Sequence, residues 1–275
     1  MLTSSEEDLM PAGLSIHVGL NNVDPRAYDG WDGQLVACEN DARDMAELAR
    51  GAGFDDTVIL TKDATVDTVT AALRQAAGKL KGGDILLLTY SGHGGQMPDT
   101  DGDEPDELDE TLVFFDRQFL DDELHREFLR FHQDVRILTL LDCCHSGTAT
   151  ELVDTPAPGE AVRLMPVLKQ QQIFERDKAF FQELQRELRS TDGDGREPGV
   201  VLISACQDDQ VAMDGRVNGK FTETLLRVWN GGEFSGGYEA FHQRIKKAMP
   251  ATQIPNFFTT GNPDAGFLAQ KPFTV

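Results

Sequence analysis

Two segments decide how this sequence is read. One is Asp84-Ile85-Leu86-Leu87-Leu88-Thr89-Tyr90-Ser91-Gly92-His93-Gly94; the other is Val135-Arg136-Ile137-Leu138-Thr139-Leu140-Leu141-Asp142-Cys143-Cys144-His145-Ser146-Gly147. Each opens as a nearly continuous apolar run of strand length. Such runs lack the alternation of a half-exposed strand and fit strands buried on both faces, as in parallel sheets covered by helices. Each run then stops in small and reactive residues, where glycine lets the backbone turn sharply and approach a ligand. Ligands bind beyond the carboxyl ends of strands in open parallel sheets. Both ends are therefore expected at one edge of one sheet.

Working outward, apolar runs alternate with helical patterns, which predicts an α/β architecture. Strands are expected at 14–20, 57–61, 84–91, 112–115, 135–141 and 199–204. Helices are expected at 40–50, 66–80, 122–131, 221–229 and 238–248. One region, 154–198, breaks this rhythm with charge, Gln, Pro156 and Pro158, and the run Asp192-Gly193-Asp194-Gly195. A helix is expected inside it at 171–189. It separates a larger part, 1–153, from a smaller part, 199–275.

At 275 residues the chain is long enough for one large core or two small ones, given about 150 residues per domain. Lys and Arg number 25 against 47 Asp and Glu, a net charge of −22. That balance argues against nucleic acid and against an anionic membrane, and favours basic substrates or cations. No apolar stretch approaches the ~18 residues of a membrane span. The first ten residues carry Glu6, Glu7 and Asp8 and show no export signal. The four cysteines, Cys38, Cys143, Cys144 and Cys206, are irregularly spaced and do not resemble a secreted disulfide framework. A cytoplasmic protein with reduced thiols is the expectation.

A thiol and an imidazole at neighbouring strand ends, with free amides in a glycine-rich turn, are the parts that nucleophilic acyl transfer needs. Two plainer readings stand beside this one. The cysteines can be core thiols and His93 a turn residue. A zinc site is the other, although consecutive Cys143, Cys144 and His145 are poorly spaced for one tetrahedral ion.

Tyr90-Ser91-Gly92-His93-Gly94 together with Asp142-Cys143-Cys144-His145-Ser146-Gly147-Thr148 resembles the caspase-like cysteine proteases, in their metacaspase or orthocaspase branch. The separation of His93 and Cys144 agrees with the ~50 residues of caspase relatives. The segments Cys38-Glu39-Asn40-Asp41-Ala42, 106–111, 120–124 and 204–210 extend the resemblance over most of the chain. It implies one caspase-like domain: a three-layer α/β sandwich with a mostly parallel central sheet flanked by helices. It also implies Cys144 as nucleophile, His93 as general acid and base, and the amides of Gly94 and Cys144 as oxyanion donors. Cys143 and His145 match positions without a catalytic role.

Metacaspases differ from caspases proper in cleaving after Arg or Lys. The resemblance places Asp41 and Asp142, with Cys38 and Ser91, in the pocket for that side chain. Two carboxylates facing a guanidinium form forked, charge-assisted hydrogen bonds. Helix capping for Asp41 and an orienting backbone contact for Asp142 are the plainer alternatives.

Residues 99–110 hold eight carboxylates and no basic residue. Asp99, Asp101, Asp103 and Glu110 imitate EF-hand spacing, but Glu104 stands where the loop needs Gly, so an EF-hand is rejected. A solvated acidic loop is the plain reading. The resemblance implies Ca²⁺ ligated by Asp109, Asp121, Asp122 and Glu151, and no organic cofactor. Arg163, Lys169, Arg176, Lys178, Arg186, Arg189 and Arg196 make 154–198 an expected autoprocessing loop; a surface insertion is the alternative. The expectation is a monomeric cysteine endopeptidase acting on proteins or peptides with basic residues. A non-catalytic caspase-fold module and a calcium-binding regulator are the competing classes. A flavodoxin-like phosphate binder is disfavoured by the acidic strand ends.

Overall fold

The computed structural model describes residues 11–100, 102, 104, 106–144, 161–189, 196–207 and 210–275. Its strands are β1 (Gly13–Gly19), β2 (Asp55–Leu60), β3 (Ile85–Ser91), β4 (Gly94–Pro98), β5 (Leu108–Val113), β6 (Gln118–Leu120), β7 (Arg136–Asp142), β8 (Gly199–Ser204) and β9 (Asn256–Thr260). Its helices are α1 (Cys38–Gly51), α2 (Val66–Lys79), α3 (Asp121–Phe128), α4 (Val167–Arg176), α5 (Lys178–Arg189), α6 (Lys220–Trp229), α7 (Tyr238–Ala248) and α8 (Ala265–Ala269).

The two decisive runs lie side by side. β3 and β7 pair in parallel from Ile85↔Arg136 to Ser91↔Asp142, so they end level. The main sheet runs β2-β1-β3-β7-β8-β9; its first five strands are parallel and β9 closes one edge antiparallel.

The strand period of two sorts side chains to opposite faces. Ile85 and Leu87 of β3 join Leu138 and Leu140 of β7 under α1, α6 and α7, with Met45, Phe221, Leu225, Phe241 and Ile245. Leu86 and Leu88 join Ile137 and Leu141 under α2 and α3, with Val69, Leu73, Leu124 and Phe128. The result is the expected three-layer sandwich. α2 illustrates how sequence makes a layer: the Thr65 hydroxyl accepts from Thr68 N and caps the helix. Val66, Val69, Leu73 and Ala76 then repeat at helical spacing and bury one stripe.

Several expectations change. The strand expected at 112–115 is β5, which starts earlier and forms the centre of a small antiparallel sheet with β4 and β6. The single helix expected at 171–189 is two, α4 and α5, separated at Asp177. Both turn apolar faces to a third cluster with Met97 and Val113. Strand β9 and helix α8 were not anticipated. Among the described residues no helix is long and apolar enough to cross a membrane.

Candidate active site

Because β3 and β7 end level at Ser91 and Asp142, His93 and Cys144 each lie two residues beyond the same sheet edge. Both are buried. His93 Nε2 faces the carbonyl of Gly33 at 3.1 Å. The carbonyl can only accept, so this contact puts the ring proton on Nε2 and leaves Nδ1 as the basic nitrogen. Nδ1 makes no full hydrogen bond, although the Leu164 backbone also pulls on the ring. Trp31 packs on the ring at 4.9 Å between centroids. Burial drives the imidazole pKa down to about 4, against the opposing pull of the Gly33 and Leu164 backbone. His93 is therefore neutral near pH 7 and able to take a proton.

The Cys144 sulfur accepts from the Ala212 amide at 2.5 Å and touches the Ala212 carbonyl at 3.6 Å. Cys206 is its other sulfur neighbour, and that contact together with burial pushes the Cys206 thiol well up. No hydrogen bond joins Cys144 to His93. Cys143 is fully buried among the apolar residues of the opposite face, and burial raises its thiol pKa.

The amides of Gly94 and Cys144 converge. Each donates to one and the same oxygen, the carbonyl of Arg163, at 3.1 Å. The approach is so close that a Cβ on residue 94 would be driven into the Cys144 carbonyl. Only glycine fits there.

The Arg163 side chain runs from that carbonyl into a closed acidic pocket and is itself 0% exposed. One guanidinium nitrogen donates to Asp41 at 2.6 Å and to Asp214 at 2.8 Å. The other donates to Ser91 Oγ at 2.8 Å and lies 2.9 Å from Asp142 Oδ2. The carboxylates are held in turn. Ser91 Oγ and Gly219 N donate to Asp41; Thr222 N and Oγ1 donate to Asp142; Val36 N and Ala37 N donate to Asp214. Three carboxylates on one guanidinium leave excess negative charge. Burial, with the charge of Asp142 added, lifts the Asp41 pKa to about 6 despite Arg163. Cys38 is buried beside this group, and burial raises its thiol pKa.

Sequence reasoning thus named four side chains that the fold does bring together, Asp41, Asp142, Ser91 and Cys38, along with the amides of Gly94 and Cys144. Asp41 sits in the first turn of α1 but makes no capping bond to it. Asp142 does make the orienting contact weighed as its alternative, through Thr222. Sequence reasoning missed Asp214, Gly33 and Gly219. It also placed Arg163 in an exposed loop. The reverse holds: among the seven basic residues of 154–198, Arg163 alone is buried, because the acidic pocket supplies the charges a buried guanidinium needs.

The acidic corner is less organised. Asp109 on β5 is buried, and the Gln185 side chain of α5 donates to it. Asp121 and Asp122 open α3, and the charges of Glu110, Asp122, Asp109 and Glu104 all reach Asp121. The oxygen-only donor set suits a hard cation. Among the described residues, however, no three carboxylate, imidazole or thiol groups stand ready to hold a metal. Glu151 and His145 lie outside the described residues.

Comparison with known proteins agrees with this geometry. A family model described as the caspase domain, of the C14 peptidases, matches residues 22–265. Metacaspase-1 of Mycosarcoma maydis is 31% identical over 235 residues, covering 71% of this chain and 57% of that protein. Metacaspase-1A of Aspergillus fumigatus is 39% identical over 140 residues, 46% of this chain and 34% of that protein. The chain thus spans between a third and three fifths of these two curated relatives. The crystal structure of protein GSU0716 from Geobacter sulfurreducens superposes with a TM-score of 0.87 at 45% identity, covering 96% of this chain and 99% of that one. With a family model spanning most of its length and metacaspases among its relatives, the chain belongs to the caspase-domain family of cysteine peptidases, on its metacaspase side.

Proposed function

We propose that the protein is a cysteine endopeptidase that cleaves after Arg or Lys with Cys144 and His93. One observation carries the reading: a guanidinium fills a pocket of three carboxylates while the carbonyl of the same residue receives two converging amides. A substrate arginine needs that pairing of side-chain pocket and oxyanion donors. In the reaction, neutral His93 takes the Cys144 proton at Nδ1, and the thiolate attacks the carbonyl carbon. The Gly94 and Cys144 amides hold the oxyanion. His93 returns the proton to the leaving amine as the C–N bond breaks, and water then hydrolyses the thioester with His93 as base. Loss of an oxyanion donor costs about 10²–10³ in rate in other acyl-transfer enzymes.

In the same reading, Asp109, Asp121, Asp122 and Glu151 would hold Ca²⁺, whose charge would offset the crowded carboxylates and stimulate the enzyme, and the chain processes itself within 154–198. The substrates are proteins or peptides with accessible basic residues, met by a monomer in the cytoplasm.

The test is cleavage of fluorogenic peptides ending in Arg, Lys or Asp, by wild type and Cys144→Ala, with Ca²⁺ or with chelator. Arg and Lys cleavage that disappears in the variant supports the reading. Hydrolysis surviving Cys144→Ala refutes the nucleophile. Asp cleavage refutes the pocket. Equal rates with chelator refute the role of Ca²⁺.

A further inference from the structure

The loop before α1 carries a tryptophan that the proposed reaction does not use. Its backbone curls tightly: Gly30 N donates to Pro25 O at 2.7 Å, Trp31 N donates to Tyr28 O at 3.0 Å, and Gly33 has a φ of 56°. The curl sets the Trp31 indole on the His93 imidazole, with ring centroids 4.9 Å apart and planes inclined at 58°. Gly33 sits against both rings. A Cβ there would stand 3.0 Å from Trp31 Cη2 and 3.2 Å from His93 Cδ2. Glycine thus lets the indole, the imidazole and the accepting carbonyl of residue 33 crowd together.

The indole is itself held. It meets the Tyr28 ring edge-on at 5.9 Å and 73°. Tyr28 is buried, and its hydroxyl donates to Phe114 O at 2.6 Å. Phe114 packs edge-on against Tyr90 at 5.6 Å, and the Tyr90 hydroxyl donates to the carbonyl of His93 at 2.7 Å. This aromatic frame reaches His93 twice, at the ring through Trp31 and at the backbone through Tyr90. From outside, α4 clamps the same loop: Lys169 Nζ donates to Asp29 O, and Arg176 donates to Asp29 Oδ1 and Ala27 O. A residue that only packs a loop needs apolar neighbours and nothing more. Trp31 has those, in the cluster with Met97, Met165 and Phe174, and in addition it lies on the one ring the reaction needs.

We propose that Trp31 is a positioning residue for the protease reaction: it fixes the plane of the His93 ring and keeps water off it, so that Nδ1 stays aimed at the reacting atoms. The proposal rests on the protease reading above and adds this residue to it. A single hydrogen bond to Gly33 O leaves the imidazole able to swing about that contact, and the indole removes the freedom. A misplacement of about 1 Å costs about 10² in rate. Keeping water away also disfavours the charged imidazolium, which is the cause of the lowered pKa of about 4. The charges that reach the ring are Arg163, which opposes its protonation, and Asp214, which favours it. Both belong to the acidic pocket, and a change at residue 31 alters neither.

The experiment compares Trp31→Phe, Trp31→Leu and Trp31→Ala with wild type. Heteronuclear NMR of the histidine rings, with the His93 signals identified through His93→Gln, follows tautomer and titration with no substrate present. Hydrolysis of an Arg-ending fluorogenic peptide gives kcat and KM across pH. In wild type the ring proton is expected on Nε2 and the titration near 4. In Trp31→Leu and Trp31→Ala the titration is expected to move up toward 6.5, carrying the acid limb of kcat/KM with it. There kcat falls about hundredfold and KM changes little. Trp31→Phe, which keeps a ring in place, is expected to retain the titration and most of kcat. Melting curves verify folding, and Trp31→Leu keeps enough apolar bulk to decide the matter if Trp31→Ala does not fold. Variants that melt earlier yet keep the wild-type titration and kcat overturn the proposal, because Trp31 then only packs the loop. A raised KM at unchanged kcat overturns it as well and assigns Trp31 to substrate contact. Absence of Cys144-dependent hydrolysis in wild type overturns the protease reading instead, and the ring titration, which needs no substrate, still decides whether Trp31 holds His93.

Discussion

Asp214 is the pocket residue whose contribution separates most cleanly from the fold. It accepts one hydrogen bond from Arg163 at 2.8 Å and is positioned by two backbone amides of the 36–37 turn. A hydrogen bond to a charged group contributes about 1.5–3 kcal/mol. Asp214→Asn is therefore expected to raise KM for Arg-ending peptides about tenfold to hundredfold with little change in kcat; an unchanged KM would leave Asp214 only a structural role. His93 and His17 make a second prediction. Burial holds both neutral, with pKa values of about 4 and about 3, whereas an unfolded imidazole gains its proton near 6.5. Between pH 6.5 and about 4 the unfolded chain binds more protons, so stability falls as the pH falls. Asp41, raised by burial to about 6, and Asp121, also raised by burial, work the other way, while burial lowers His242 as well, two groups against three. Melting of Cys144→Ala across pH 7 to 4 is expected to move steadily down; a flat profile would contradict the burial of these imidazoles. At this scale the sequence was legible wherever a residue sat beside a motif. Asp41 and Asp142 lie next to Cys38 and Cys144. Asp214 stands alone after Ala212-Met213 with no flanking signal, and only the pairing of 161–163 with 212–214 brings it to the pocket.

Elements with a sustained period were readable, and short ones were not. β3 and β7 announce themselves by continuous apolar runs, and α2 by its stripe. β4 is Gly94-Gly95-Gln96-Met97-Pro98, a composition that reads as a turn; it exists because β5 supplies its hydrogen bonds and α4 covers it. β6 has three residues, and three residues carry no period. The break between α4 and α5 at Asp177 also escapes notice, since both halves continue apolar positions at helical spacing. α4 has a specific duty at the site. Gln170 is buried; its oxygen accepts from Gln96 N at 2.9 Å and its nitrogen donates to Met165 O at 2.5 Å. It thereby fastens the chain after Leu164 to β4. Gln170→Leu removes both bonds, and a buried polar group that loses its partner costs about 1–3 kcal/mol. The variant is expected to lose stability by that amount in denaturant titration and to exchange the amide hydrogens of Leu164 and Met165 faster. Normal exchange there would mean that Pro166 and the α4 backbone alone fix the segment.

At the scale of the whole molecule, the proposed processing within 154–198 would divide the chain across its deepest contacts rather than between separable parts. β7 lies before the cut and β8 after it, paired over six residues from Arg136↔Gly199 to Leu141↔Ser204. The core on one face mixes Met45, Leu87, Leu138 and Leu140 with Val201, Phe221, Leu225, Phe241 and Ile245. The pocket is mixed too, with Asp41 and Asp142 on one piece and Asp214 and Thr222 on the other. Neither piece can bury its own share of the sheet: a piece ending within 154–198 leaves β7 as a bare parallel edge with an uncovered apolar face, a state that invites association. The two pieces are therefore expected to remain one particle after processing. On a native sizing column the cut protein should elute with the uncut Cys144→Ala form, show two bands only under denaturing conditions, and melt in one transition. Separation of the pieces on the column would mean that processing dismantles the pocket, whose Asp41 and Asp142 lie on one piece and Asp214 on the other, and so ends activity.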